Sequence, residues 1–221
     1  TANPAMSDNA TAANPLLAPW TTPFGVPPFD QIREEHFLPA YRAAIALHTR
    51  EVEAIANARP APTFENTIVA LDEAGDVLSR IGMVFGGLSS AETTPGLQVI
   101  GREVAPMMAA HGDDIVLNAK LFARVRTVWE QRDRLKLDPE QAKLLENTYK
   151  DFARGGALLP PEGQKRLREI NAQLAELSVK FRDNLLHDTN AFQLLIADRA
   201  DLAGLPDRVV AGAADAAKKA G

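Results

Sequence analysis

The chain has 221 residues, 46% of them hydrophobic and 24% charged, which suits folding around a core and excludes a disordered tail or a fibrous repeat. Lys and Arg number 24 against 29 Asp and Glu, a formal net charge of -5, so there is no basic field to hold a nucleic acid. With no cysteine, these residues exclude a disulfide framework, a thiolate zinc site, an iron–sulfur cluster and a cysteine nucleophile.

Residues 1–13 are polar, begin without Met and lack an apolar signal core, so a disordered leader left by processing or trimming is expected. Asn9-Ala10-Thr11 matches the glycosylation sequon, a three-residue pattern too common to carry meaning. No apolar run approaches the ~18–20 residues that span a bilayer, so no membrane partner is expected. Residues 14–29, NPLLAPWTTPFGVPPF, hold Pro15, Pro19, Pro23, Pro27 and Pro28, which remove backbone donors and favour an extended arm. Leu16, Leu17, Trp20, Phe24 and Phe29 are expected to pack across the helices that follow. No clean P-x-x-P pair supports a proline-rich recognition peptide instead.

Residues 30–190 are expected to form a helical domain. Phe37, Tyr41, Ile45, His48, Val52 and Ile55 step by three and four along a first helix that Pro60 and Pro62 end. Thr63 can cap a second, long helix carrying Ile68, Leu71, Leu78, Ile81, Phe85 and Leu88. Thr94-Pro95 starts a third, with Leu97, Ile100, Val104, Met107, His111 and Ile115 on one stripe and a possible kink at Pro106. A fourth follows from Leu121, Val125, Val128 and Trp129, its outer face of Arg124, Arg126, Glu130, Arg132 and Asp133 reading as solvated surface. Asp138-Pro139-Glu140-Gln141 is a capping box opening a fifth helix through Leu145, Tyr149 and Phe152, and Gly155-Gly156 supplies its left-handed stop. After Pro160-Pro161, Leu167, Ile170, Leu174, Leu177, Phe181 and Leu185 form a seam that needs a helical partner.

In the last stretch, 191–221, Ala191 to Ala197 alternates as a short strand, and nothing after it offers a mate. A strand alone leaves its backbone groups unpaired, so its partner is expected outside this chain. The class is mostly α with that one strand, and no fixed repeat of ~20–50 residues points to a solenoid.

Candidate chemistry is sparse. The histidines His36, His48, His111 and His187 form no H-E-x-x-H pattern and share no helical face. His48 and His111 continue apolar stripes and read as satisfied, half-buried side chains without a role. Glu34-Glu35 and Asp113-Asp114 are neighbours ~100° apart on a helix, unable to face each other as an acid/base pair, and read as surface charge. Gly86-Gly87 and Gly155-Gly156 lack the Lys and Ser or Thr of a phosphate loop. Close helix packing is expected at the first pair and a helix stop at the second. No G-x-S-x-G elbow occurs. The lists of catalytic, cofactor-binding and metal residues are therefore empty.

Four segments taken in order, FGVPPFDQIREEHFLPAYRAAI (24–45), TFENTIVALDEAGDVLSRIGMVF (63–85), ENTYKDFARGGALLP (146–160) and RLREINAQLAELSVKFRDNLLHDT (166–189), resemble the N-terminal region of the thimet-oligopeptidase-like zinc metallopeptidases. The opening NPLLAPWTTPFGVPPFDQI is most similar to the peptidyl-dipeptidase branch, with the oligopeptidase branch next. The resemblance implies the helical N-terminal half of a two-lobed channel enzyme, forming a wall or lid of the channel. It implies hydrolysis assisted by zinc held on an H-E-x-x-H helix and a downstream Glu, all outside these residues, so that this segment alone is inactive. Its partners would be the C-terminal catalytic part of the same protein and short peptides, which lose C-terminal dipeptides. An endopeptidase segment and a stand-alone helical binding module remain the alternatives. A bacterial, periplasmic or cytoplasmic location is implied, the two not being separated.

Overall fold

A computed structural model describes residues 14–220, so the expected leader and its sequon lie outside the described residues. Helix α1 (Glu34–Ala56) starts where Arg33 is extended and its amide donates to Nδ1 of His36 across 2.9 Å, which makes His36 a cap. Thr63 then opens a π-helical turn, Phe64–Val69, by a reciprocal bond: Asn66 N–H donates to Thr63 Oγ1 (3.1 Å) and Thr63 N–H to Asn66 Oδ1 (2.9 Å). The turn runs into the short α2 (Ala70–Glu73), and α3 (Asp76–Ala91) follows.

The second helix expected from the sequence is therefore split. Gly75 sits at φ 81, a left-handed conformation that no helix continues through. Its amide donates to Glu51 Oε2 at 2.9 Å, which anchors the break to α1.

Thr94 caps α4 (Pro95–Val116) by accepting from Leu97 N–H at 3.1 Å, and the helix continues through Pro106. Asn118 Oδ1 caps α5 (Ala119–Glu130). The capping box at Asp138 and Gln141 opens α6 (Pro139–Phe152) as the sequence predicts. A π-helical turn, Ala153–Ala157, closes α6 with Gly156 at φ 103. Then come α7 (Pro161–Ala191) and α8 (Asp207–Ala220).

Two apolar clusters share α1. Phe37, Tyr41 and Ala44 from its first half meet Leu16 of the arm, Leu78, Ile81 and Val84 of α3, and Leu97 and Val104 of α4. Val52 and Ile55 from its second half meet Phe64, Ile68, Leu121, Val125, Leu145 and Phe152. Each large side chain fully buried this way contributes roughly 1.5–3 kcal/mol.

Several sequence expectations change. Leu16 of the arm is buried as expected, and Trp20 donates from Nε1 to Pro15 O at 2.9 Å. Phe24, however, sits at φ 60 in the turn Pro23–Gly25 and is wholly exposed, and Phe29 is half exposed. Arg124 does not lie on a solvated face. It is 7% exposed, and its guanidinium donates to Ala58 O and Pro60 O (both 3.1 Å), Asn66 Oδ1 (3.0 Å) and Thr67 Oγ1 (3.2 Å). Connectors leave carbonyls to satisfy, and Arg124 satisfies those of Ala58 and Pro60. Asp113 is likewise buried, accepting from Asn171 Nδ2 at 2.6 Å. A Cβ at Gly86 or Gly87 would meet nothing within 4 Å, so that pair makes no close packing. Close approach occurs instead at Gly155 and Gly156, where a Cβ would lie 2.5 Å from Val116 and 2.4 Å from Leu167.

The expected strand does not form. Ala191 ends α7 and residues 192–198 carry no strand pairing, because no second extended segment lies beside them among the described residues. The described chain divides into two units, one reaching to Phe181 and one from Arg182 onward. The second comprises the end of α7, the irregular 192–198, a 3₁₀ turn at Arg199–Leu202 and α8, and none of its described side chains is buried.

Candidate interaction face

In the first unit α7 is amphipathic with its faces reversed. The side that meets the rest of the fold buries Val179 and makes polar contacts: Arg168 Nη1 donates to Asp114 Oδ1 at 2.7 Å, and Asn171 to the buried Asp113. The apolar seam looks outward, with Ile170 38%, Leu174 54%, Leu177 59% and Phe181 71% exposed. Four large apolar side chains at helical spacing on one exposed face are uncommon on a free-standing domain and characteristic of an interface. Leu167, at the head of the seam, is the member drawn inward, against Gly156. Within the second unit, Leu185, Phe192, Leu194 and Leu195 are also exposed.

A second apolar surface lies beside the arm. Trp20, Pro27, Phe29, Met83 and Leu88 line a groove of about 480 Å³, and the Arg80 guanidinium stacks 4.7 Å above the Trp20 ring while pairing with Asp76.

The histidines divide into three settings. His36 caps α1, and His187 lies exposed beside Asp188. His48 and His111, from α1 and α4, come together with Nε2 of His111 3.0 Å from Nδ1 of His48 and the rings edge to face. No sequence pattern signals this pairing, since 63 residues separate the two and each lies on its own helix's stripe. Burial holds both imidazoles below their ordinary range. Each other's charge adds to that effect at His48, while Glu51 opposes it there and Asp114 opposes it at His111.

Among the described residues no three His, Asp or Glu side chains cluster so as to hold a metal ion. The one close histidine pair spends its facing nitrogens on each other, so the residues present do not fit a zinc site, which needs three protein ligands and an open position. No helix among the described residues is long and apolar enough to cross a membrane.

No family model matches the chain. Over nearly its whole length it is nonetheless similar to named peptidases. It is 36% identical to dipeptidyl carboxypeptidase of Escherichia coli over 211 residues, 96% of this chain and 31% of that protein. To dipeptidyl carboxypeptidase of Salmonella typhimurium it is 38% identical over 210 residues, 95% of this chain and 31% of that protein. Oligopeptidase A of Salmonella typhimurium is 34% identical over 201 residues, 90% of this chain and 29% of that protein. The chain thus spans about a third of the length of these relatives, and the resemblance read from its segments is borne out.

Proposed function

We infer that this chain, a segment related to the dipeptidyl carboxypeptidases and oligopeptidases A, works as the non-catalytic N-terminal part of a longer zinc peptidase that removes C-terminal dipeptides from short peptides. The observation that carries the reading is the coverage: an alignment over 96% of the chain accounts for only 31% of the relative's length. The outward seam of α7 supports it, because a face of this kind gains stability once other polypeptide of the same protein covers it. Its role is architectural, as a wall or lid of the channel that admits unstructured peptides and excludes folded ones. Zinc and the groups that work with it belong to polypeptide outside these residues, and no step of the hydrolysis is assigned to any side chain here.

The test is complementation. The remainder of the peptidase and this chain are prepared separately, and dipeptide release from a short peptide is followed with zinc supplied. Little or no release from either part, and release when they are mixed, is the expected result. Release by this chain alone, or full activity of the remainder without it, would overturn the reading. Oligopeptidase A matches nearly as well, at 34% identity, so cleavage at internal bonds is the second reading. Mass analysis of the products separates the two.

A further inference from the structure

We propose that His48 and His111 form a proton-operated latch between α1 and α4, closed at neutral pH and opened by acid. The pair lies where the two apolar clusters adjoin. On α1, Ala44 belongs to one cluster and Val52 to the other, with His48 between them; on α4, Val104 belongs to the first, and Ile115 packs against the second, with His111 between. A hydrogen bond of 3.0 Å between two imidazole nitrogens requires one to carry a hydrogen and the other to keep its lone pair. The neutral pair meets this condition, and so does a pair holding one extra proton. A second extra proton removes the last lone pair and sets two cations N–H to N–H across 3.0 Å. The latch therefore opens on the second proton, and its titration belongs to the pair as a unit.

The surroundings leave the rings little freedom to turn away. A Cβ at Gly75 would lie 2.7 to 2.9 Å from three atoms of the His48 ring, so this ring rests on the backbone of the break before α3. His111 is 6% exposed. The charged groups that face the pair are Glu51 on α1, whose carboxylate accepts the Gly75 amide at 2.9 Å, and Asp114 on α4, whose carboxylate Arg168 of α7 engages at 2.7 Å. Each carboxylate thus already accepts one of these hydrogen bonds.

The sign follows. Unfolded histidine titrates near 6.5, and both rings are held below that in the fold. Between the two values the unfolded chain binds more protons, so stability is full above 6.5 and falls as pH drops through it.

The test is urea unfolding of the whole chain at intervals from about pH 8 to about pH 5, compared with His111→Leu. The wild-type midpoint is expected to fall over this range and that of the variant to fall less steeply. Equal slopes would overturn the latch. Should the variant fail to fold, ring-nitrogen NMR of the wild-type chain decides. A protected ring N–H bridging the pair at neutral pH and lost in acid supports the latch, and two rings titrating independently near 6.5 sink it.

Discussion

Arg124 shows how one side chain can hold a connector and the helical turn that follows it. Its four partners are neutral oxygens drawn from residues 58 to 67, so removing it takes a donor from two carbonyls and two side-chain oxygens at once. Arg124→Leu is expected to cost about 3 kcal/mol in urea unfolding, the range for breaking a buried charged network. Gly75 is the second such position: Gly75→Ala meets both a φ of 81 and the His48 ring, and should cost about 1–3 kcal/mol. Tyr41 is held by burial at a pKa pushed up to about 12 from 10.0. As a group kept neutral by the fold, it leaves stability intact below pH 10.0 and erodes it as pH rises toward 12, which ultraviolet titration of its phenolate would follow. The caps at Thr63, Thr94 and Asp138 were legible in the sequence because a cap is a local device, complete within three or four residues. The role of Arg124 was not, for its partners lie 57 to 66 residues away.

At the scale of elements, periodicity located most helices and failed where one glycine decided the outcome. Apolar spacing runs unbroken from Ile68 to Leu88, yet the chain turns at Gly75, since the stripe records which side is buried and not whether the axis continues. The seam of α7 was also legible as a stripe of apolar residues. The direction it faces was not, because Arg168 and Asn171 turn the polar side inward through Asp114 and Asp113. Phe181 and Leu177 being mostly exposed, Phe181→Glu and Leu177→Glu should shift the urea midpoint of this chain by no more than about 0.5 kcal/mol equivalent. The same changes should weaken assembly with the remainder of the peptidase by about tenfold or more, measurable by titration of one part with the other. The alternating run at 191–197 shows the limit of pattern alone, since alternation describes a side-chain arrangement and a strand exists only with a neighbour to pair with.

For the whole molecule, the first unit has two packed clusters, whereas no side chain of the second is buried among the described residues. Apolar area of that kind is stabilising only once removed from water. The proposed catalytic function was legible only through resemblance, because no ligand pattern occurs among the described residues. Amide hydrogen exchange over residues 167–181, compared between this chain alone and the complete peptidase, tests the seam most directly. Slowing by about tenfold or more in the complete protein, centred on Ile170 to Phe181, is expected if other polypeptide covers that face. Identical exchange in the two samples would contradict it.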